Sequence, residues 1–459
     1  MGLELFDSKE QKLREFVPLH PGVVEMYVCG PTVQSAPHLG HLRSALVYDL
    51  LRRWLKALNY EVIMVRNVTD IDDKVLVNAG SRDWQEFARE VETSFNDAYD
   101  NLWILEPTHT PHATEHIDDM IALTQKLIDR GHAYQAEDGS ANVFFHSASW
   151  PSYGELTNQK LENMEGEPEV SFGRRSPNDF ALFKAHKPEE PETAAWQTPW
   201  GLARPGWHIE CSAMAKHFLG EAFDIHGGGL DLRFPHHENE LAQSRAAGDH
   251  FANFWLHNAL VTINGSKMSK SQGNGVSVEE LLEKASWGAI RYWLVSAQYR
   301  SNLDYSEKAL ADAGSALERI VGFIRRSTNT KPVETDLSNL PEAFKDAMNQ
   351  DLNTPLALAV LHDTVRAGNT AFDNGDTAEL QINLEAVKAM VHVLGLTNAY
   401  LEPHVSEELR LQIEDLIAKR QQAKTAKDFD SADKIRAELE GLGVIIKDLP
   451  NETIWSING

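Results

Sequence analysis

Cysteine is almost absent from this chain, which has only Cys29 and Cys211 among its 459 residues. Two cysteines cannot build the disulfide framework of a small secreted domain, and no secretory leader is recognisable. We therefore expect a cytoplasmic protein. No C-x-x-C pair occurs, so cysteine spacing alone leaves a metal site and two buried structural thiols as equal alternatives.

The chain also lacks a long apolar run and an excess of positive charge. No segment is apolar over the length that a membrane-crossing helix needs, so we expect no membrane partner. The net charge is −25, which argues against RNA as a partner unless the contacts are local. Two groups of basic residues are candidates for such contacts, although each is individually more typical of a solvated helix face: Arg291, Arg300, Arg319, Arg325, Arg326 and Lys331, and in the tail Lys419, Arg420, Lys424 and Lys427.

An H-L-G-H motif lies between a predicted buried strand at 23–29 and a predicted helix at 42–58. Its histidines, His38 and His41, are three residues apart at the helix entrance, where backbone N–H groups attract phosphate. Imidazoles there can donate hydrogen bonds to a developing oxyanion. Gly40 leaves room for a nucleotide against the backbone. A lone H-x-x-H, however, is more often a turn with two solvated histidines.

A second motif, K-M-S-K-S, contains Lys267 and Lys270 on a predicted loop rich in glycine and asparagine. We expect this loop to open and close. Mobile ammonium groups suit a leaving pyrophosphate, whose charge is greatest during the reaction. A solvated basic turn is the alternative for any K-x-x-K. Together, the two motifs predict an enzyme that holds ATP and forms an adenylate by attack at the α-phosphate.

The two motifs resemble the HIGH and KMSKS signatures of class I aminoacyl-tRNA synthetases, with leucine at position 39 in place of isoleucine. Further blocks narrow the resemblance to the cysteinyl-tRNA synthetase family: 26–30, 66–74, 204–214, 224–229, 234–240 and 351–355. The resemblance implies activation of L-cysteine with Mg-ATP to cysteinyl-adenylate, with release of pyrophosphate. It also implies transfer of cysteine to the 3′ end of tRNA(Cys), by an enzyme expected to be a monomer.

Metal ligation explains the two isolated cysteines better than a disulfide, which cytosolic proteins seldom keep. Zinc accepts cysteine sulfur, histidine nitrogen and carboxylate oxygen, and His236 and Glu240 are spaced i,i+4 for one helical face. His237 is an alternative third ligand that spacing does not reject. The family resemblance assigns one Zn²⁺ per chain to four ligands: Cys29, Cys211, His236 and Glu240.

A metal would also separate cysteine from serine. An apolar pocket distinguishes substrates that differ by one small group only about 10- to 200-fold. Zinc binds a thiolate strongly, whereas an alcohol stays protonated and is a poor ligand. Selection would then depend on coordination chemistry, and an editing domain would be unnecessary.

The resemblance also implies roles for residues around the pocket. The catalytic residues are His38, His41, Lys267 and Lys270. The substrate-binding residues are Gly30, Thr32, Thr69, Trp207 and His226. The ATP-binding residues are His38, Gly40, His41, Gly227, Gly228, Gly229, Asp231 and Lys270. Among them, Gly227, Gly228 and Gly229 would lie under adenosine, and Asp231 would hold the ribose hydroxyls. From the residues alone, a tryptophan is more often part of a core and three glycines more often form a turn.

The predicted fold is α/β: a Rossmann-like doubly wound parallel sheet with an insertion, followed by a C-terminal helical bundle domain and a small terminal α+β element. Its basis is a strand–helix–strand order over 23–68, proline-rich text from 131 to 201, and amphipathic segments after 341. The predicted domains are the first half of the nucleotide-binding fold (1–130), the connective insertion (131–200), the second half with the KMSKS loop (201–275), a helical junction that contacts the acceptor stem (276–335), the helical bundle (336–400) and the anticodon-recognition tail (401–459).

Two other functions remain open at this point. A cysteine ligase that acts on an amino-sugar amine resembles the catalytic half but lacks the long helical tail, so residues 341–459 argue against it. The second is a catalytically silent paralogue that binds nucleotide or RNA. Such a protein need not keep both motifs, so the intact motifs argue against it. For Trp455 in the tail, base stacking and local packing are equal alternatives.

Overall fold

The computed structural model describes residues 2–164, 173–263, 265–267, 276–327, 335–400, 407–426, 428–448 and 453–457. The chain begins with an antiparallel hairpin of β1 (Glu4–Asp7) and β2 (Lys12–Glu15). The first half of the central α/β unit follows, with β3 (Val23–Val28), α1 (Leu39–Ala57), β4 (Glu61–Arg66), α2 (Asp73–Ala79), α3 (Trp84–Asn101) and α4 (Ile117–Asp129). The sequence predicted β3, α1 and β4 to within a few residues at each end.

An antiparallel sheet interrupts the central unit. Its strands are β5 (Ala133–Gln135), β6 (Val143–Phe145), β7 (Phe180–Ala185), β8 (Trp196–Thr198) and β9 (Gly201–Pro205). They pair in the order β5-β6-β7-β9-β8. Buried aromatic side chains hold it together, since the rings of Phe145 and Phe180 stack at 5.0 Å.

The central unit resumes with α5 (Trp207–Leu219), β10 (Ala222–Gly229), a π-helical turn (Arg233–His237), α6 (Glu238–Ala246) and β11 (Phe251–Asn258). Within the described residues, the central sheet has the order β11-β10-β3-β4, and all its pairings are parallel. The strand order reverses between β3 and β10. Ligands of doubly wound sheets bind at the carboxyl ends of the strands beside such a reversal.

A helical region follows the central unit. Its elements are β12 (Val261–Ile263), β13 (Ser266–Lys267), α7 (Val278–Leu282), α8 (Trp287–Val295), β14 (Leu303–Tyr305), α9 (Glu307–Ser327), α10 (Glu342–Asn349), α11 (Thr354–Asp373), α12 (Thr377–Val393), α13 (Glu407–Thr425), α14 (Phe429–Gly441), β15 (Val444–Asp448) and β16 (Thr453–Ile457). The N-terminus of α7 has a capping box, in which Ser277 Oγ accepts from the Glu280 N–H and Glu280 Oε2 accepts from the Ser277 N–H.

One continuous apolar core extends from Leu3, just before β1, to Leu396, just after α12. On α1, Leu42, Leu46, Leu50 and Trp54 are buried in it, and each such side chain contributes about 1.5–3 kcal/mol when it is fully removed from water. The tail has a separate small core of Ile413, Leu416, Leu439 and Val444. Trp455 packs partly buried against this second core. None of the described helices combines the length and the apolar character that a bilayer crossing needs.

Two basic residues singled out as phosphate contacts are instead buried. Arg291 on α8 has no exposed surface and forms an ion pair with Asp49 of α1. It also donates to the backbone oxygens of Leu102 and Leu394. Arg420 on α13 is only 6% exposed. For these two side chains, both the hypothesis of phosphate contacts and the alternative of a solvated face were wrong. Lys331 and Lys427, from the same groups, lie outside the described residues.

Candidate active site

A cavity of about 690 Å³ opens at the carboxyl ends of β3 and β10, beside the reversal of strand order. Nine of the site residues predicted from the sequence line the cavity: Cys29, Gly30, Thr32, His38, Gly40, His41, Trp207, Gly229 and Asp231. These residues come from both halves of the interrupted α/β unit, and the fold brings them together.

The H-L-G-H motif forms the start of α1. His38 is the residue before the helix, and its Nδ1 accepts from the Gly40 N–H at 3.1 Å. The Nδ1 of His41 accepts from the His38 N–H at 3.3 Å, and the two rings stack at 3.8 Å. Because both Nδ1 atoms accept, each neutral ring carries its proton on Nε2. Both histidines can therefore present a ring N–H donor to the cavity.

The floor of the cavity depends on a close approach between two backbones. A Cβ on Gly30 would lie 1.6 Å from the carbonyl oxygen of Asn67, so only glycine fits. The Asn67 side chain accepts from the Gly30 N–H at 2.9 Å and donates to Thr69 at 3.2 Å. Thr69 in turn donates to Glu210 at 2.7 Å. Thr69 is thus buried behind Gly30, and it does not line the cavity wall.

The four predicted metal ligands form one buried group. Cys29 follows β3, Cys211 lies in α5, His236 lies in the π-helical turn and Glu240 lies in α6. One ligand atom from each lies within 4.8 Å of all the others. The sulfur of Cys29 is 3.6 Å from that of Cys211 and 3.4 Å from Oε1 of Glu240. Tetrahedral zinc bonds of about 2.0–2.3 Å place neighbouring ligand atoms about 3.3–3.8 Å apart, so the donor set fits a metal ion.

A second set of ligands shares two members with the first. Cys29 and Glu240 also lie within 4.8 Å of His226 and His237. The Nε2 atom of His226 is 3.3 Å from Glu240 Oε2 and 3.6 Å from the Cys29 sulfur. The choice between His236 and His237 as the third ligand is therefore a choice between two overlapping ligand sets. Distance favours His236, because its Nε2 is 3.0 Å from Glu240 Oε1, against 4.0 Å for His237.

Burial creates an electrostatic need for a cation at this group. Burial, and then the neighbouring Cys211 and Glu240, raise the pKa of Cys29 well above its usual range. Burial likewise raises the pKa of the Cys211 thiol. Burial also acts to raise the pKa of Glu240, but the charges of His226 and His236 outweigh it and lower the pKa. A divalent ion would compensate two thiolates and a carboxylate that are otherwise costly to bury together.

A hydrogen bond from His208 and a stacking contact from Trp207 hold His236 in place, and the role of His208 was not predicted from the sequence. The Nδ1 of His208 lies 3.0 Å from the Nδ1 of His236, which leaves Nε2 to face Glu240. Trp207 stacks on the His236 ring at 4.2 Å and also lines the cavity. His208 lies three residues before Cys211, so its i,i+3 spacing from a ligand was the available signal.

The other predicted site residues lie deeper or outside the described structure. His226 is fully buried, with its ring parallel to that of Tyr27 at 5.4 Å. Gly227 and Gly228 are in β10, and a Cβ on Gly227 would lie 2.2 Å from the Tyr48 ring. Lys267 is in β13 and its side chain is not among those described; Lys270 lies outside the described residues.

Comparisons with known proteins agree with this architecture. The family profile for the tRNA synthetases class I (C) catalytic domain matches residues 15–315. A DALR domain matches residues 343–398, and the cysteinyl-tRNA ligase anticodon binding domain matches residues 406–455. The cysteine–tRNA ligase of Clavibacter sepedonicus is 52% identical, and the match covers all of both chains. That of Arthrobacter sp. (strain FB24) is 48% identical over 99% of each chain.

The chain belongs to the cysteine–tRNA ligase family. A solved structure of Mycobacterium tuberculosis methionyl-tRNA synthetase in complex with methionyl-adenylate has the same fold, with a TM-score of 0.56, 15% identity and coverage of 86% of this chain and 94% of that one. The resemblance noted in the sequence is therefore confirmed, as is the predicted fold class.

Proposed function

We propose that this chain activates L-cysteine with ATP to cysteinyl-adenylate and transfers cysteine to the 3′ end of tRNA(Cys). The observation that carries the proposal is the position of Cys29, which belongs to the buried ligand group and also lines the cavity that holds His38 and His41. A thiol substrate in this cavity would reach the metal candidates and the adenylate-forming motif together.

Zn²⁺ is the metal that best suits the ligand group. Two thiolates, an imidazole and a carboxylate are a donor set that zinc accepts in tetrahedral geometry. When bound by Cys29, Cys211, His236 and Glu240, zinc would supply a coordination position for the cysteine thiolate that serine could not use. The two ligand sets share Cys29 and Glu240, so this ligand group would hold one ion.

The remaining residues act on ATP, which enters with Mg²⁺. His38 and His41 donate Nε2–H groups toward the phosphates, at the end of α1 where the helix dipole is positive. Gly229 and Asp231 line the same cavity, where Asp231 would hold the ribose hydroxyls. Gly227 and Gly228 would lie under adenosine, and Lys267 and Lys270 would stabilise the leaving pyrophosphate.

The substrate carboxylate then attacks the α-phosphate, and the adenylate and pyrophosphate form. Trp207, Gly30 and Thr32 line the cavity and would contact the amino acid, while the buried Thr69 and His226 would support them from behind. The terminal ribose hydroxyl of tRNA attacks the activated carbonyl in the second step. Since the adenylate is already reactive, this step requires mainly positioning.

Cysteine-dependent pyrophosphate exchange tests the metal and the activation step together. The protein is assayed as purified, after a chelator, and after Zn²⁺ is restored, with serine as the matched competing substrate. We expect exchange with cysteine to disappear with the metal and to return with Zn²⁺, and serine to give none. Equal exchange in the metal-free protein would contradict thiol selection by zinc.

The tail is proposed to recognise the anticodon, in a domain arrangement of 1–130, 131–200, 201–275, 276–335, 336–400 and 401–459. We further propose a cytoplasmic monomer. Removing residues 401–459 deletes the small separate core and leaves the main core intact. We expect this truncation to keep pyrophosphate exchange and to lose most tRNA charging. Unchanged charging would remove the tail from the recognition of tRNA.

A cysteine ligase acting on an amino-sugar amine is disfavoured. The matches to the DALR and anticodon-binding domains cover the part of the chain that such a ligase lacks. A silent paralogue is disfavoured by the intact histidine pair and ligand group at the cavity. Charging assays with tRNA and with an amino sugar as alternative acceptors distinguish the three functions directly.

A further inference from the structure

A third group of possible metal ligands lies away from the cavity, between α4 and α5. Among the described residues, His116, Asp119 and His217 are brought together so that one ligand atom from each lies within 4.8 Å of the others. His116 precedes α4, Asp119 lies in its first turn, and His217 lies in the last turn of α5. None of these three residues lines the cavity or belongs to the ligand sets around Cys29.

The carboxylate of Asp119 lies between the two imidazoles. Its Oδ2 is 2.9 Å from Nδ1 of His116 and 2.9 Å from Nδ1 of His217. The two rings are inclined at 67°, with centroids 4.7 Å apart. Two imidazole nitrogens, from elements that are distant in sequence, are thus gathered on one carboxylate oxygen.

These distances are close to those of a zinc site. Zinc–nitrogen and zinc–oxygen bonds of about 2.0–2.2 Å give separations of about 3.3–3.6 Å between neighbouring ligand atoms of a tetrahedron. The present separations of 2.9 Å would open by only about half an ångström to admit the ion. Rotation of the exposed His217 side chain, which is 46% accessible, can supply this movement.

The surroundings hold the ligands on one side and leave the other side accessible. The side chain of His116 is 11% exposed, and Phe218 packs against it at 5.3 Å and against His217 at 4.8 Å. The side chains of His217 and Asp119 are 46% and 40% exposed, so the other side of the group is open to solvent. His217 also lies at the C-terminal end of α5, where the helix dipole favours a cation.

We propose that His116, Asp119 and His217 form a second divalent-metal site, selective for transition metals such as Zn²⁺ over Mg²⁺ or Ca²⁺. Two imidazoles and one carboxylate are typical ligands of zinc, nickel and copper, whereas Mg²⁺ and Ca²⁺ prefer oxygen alone. The ion would join the C-terminal end of α5 to the N-terminal end of α4. Because α5 also carries Trp207 and Cys211, such a link would stabilise the helix that supplies the cavity with both residues.

The site is tested with protein that already holds one zinc per chain, equilibrated with added Zn²⁺ and measured by elemental analysis. We expect the natural sequence to bind one further equivalent, and Asp119→Ala and His217→Ala to bind none. His109→Ala is the matched control, because His109 packs against the same Phe218 at 4.9 Å but offers no ligand to the group. It should bind the further equivalent. Absence of a second equivalent in the natural sequence, or its persistence in both site variants, overturns the proposal.

Cobalt distinguishes the two sites spectroscopically. Co²⁺ added to the zinc-loaded protein should give d–d absorption without a sulfur-to-cobalt charge-transfer band, since the second site contains no thiolate. If all the bound cobalt gave the charge-transfer band, it would lie only in the cysteine site, and this result would contradict the assignment. The Asp119→Ala protein should lose the d–d absorption and keep its pyrophosphate exchange, because Asp119 is remote from the cavity lining.

Discussion

The sulfur atoms of Cys29 and Cys211 lie 3.6 Å apart, although 182 positions separate the two residues in the chain. A disulfide would bring the sulfurs to about 2.05 Å, and two unrelated buried thiols have no reason to meet. Two ligands of one tetrahedral zinc ion are about 3.8 Å apart. The only two cysteines of the chain are thus arranged as a pair of metal ligands.

Replacing either cysteine with serine should remove zinc and cysteine activation together. Serine keeps the size of the side chain, but its hydroxyl stays protonated and binds zinc poorly. We expect Cys29→Ser and Cys211→Ser to retain well under one zinc per chain and to lose most pyrophosphate exchange. Elemental analysis and exchange assays measure the two effects, with circular dichroism as the control for folding. A variant that loses zinc and keeps normal exchange would separate the metal from catalysis.

His236 and His237 should differ when each is changed to alanine. Both rings have an Nδ1 engaged with another histidine, but the Nε2 of His236 lies 3.0 Å from Oε1 of Glu240, whereas that of His237 lies 4.0 Å away. We therefore expect His236→Ala to lose zinc and His237→Ala to retain it. The two variants are matched in position and chemistry, so each is the control for the other. The opposite pattern would assign the ion to the set containing His226 and His237.

Arg291 should be a stability residue and not a tRNA contact. It and Asp49 are both fully buried, and removal of the guanidinium would leave the carboxylate with Arg53 as a remaining partner. We expect Arg291→Met to lower the free energy of unfolding by about 3 kcal/mol, the lower end of the range for a broken buried ion pair, because Arg53 still compensates the carboxylate. Denaturant unfolding measures this change.

The exposed Arg325, on α9, is the matched comparison. Arg325→Gln should leave the free energy of unfolding within about 0.5 kcal/mol of that of the natural sequence. If Arg325 contacts tRNA phosphates, this variant should raise the KM for tRNA, and the effect should shrink at high salt. For Arg291, unchanged stability of the Arg291→Met protein would contradict the prediction, because it would show that the ion pair of Arg291 with Asp49 does not stabilise the contact between α8 and α1.

Local patterns in the sequence predicted the elements that hold the motifs. His38 lies at a helix start, His236 and Glu240 share a helical face, and the Ser277 capping box forms as its spacing indicates. In each case the interacting residues are four or fewer positions apart. Such contacts depend on backbone geometry alone, and that geometry is readable from spacing.

Burial and long-range partners were not readable in the same way. The segment at 207–219 was placed in the second half of the nucleotide-binding fold, but its helix was not predicted. Its residues 208–215 are all buried, so it lacks the polar face that marks an amphipathic helix. Similarly, the charge of Arg291 suggested an exposed side chain. Its buried partner Asp49 is 242 positions away, so the spacing of residues could not reveal the ion pair. Only the folded chain brings together the second ligand set and the group around Asp119.

The pair of His112 and Glu92 should make stability depend on pH above neutrality. The Nε2 of His112 is 3.0 Å from both carboxylate oxygens, and the hydrogen bond to Glu92 raises the pKa of His112 to about 9. A raised folded pKa means that the stabilisation is fully present below the ordinary value of about 6.5 and is lost as pH rises through about 9. We expect this loss to be about 1 kcal/mol.

Urea unfolding of the natural sequence and of His112→Asn between about pH 6.5 and 9.5 isolates this contribution. The difference in free energy of unfolding between the two proteins should be largest at the acid end and should vanish at the alkaline end, and Glu92→Gln should reproduce the flatter profile. His132→Asn is the control, because burial lowers the pKa of His132, so its proton is already lost over this range. Its profile should run parallel to that of the natural sequence. A constant difference between the natural sequence and His112→Asn would mean that the imidazole stabilises α3 by packing and not through its charge.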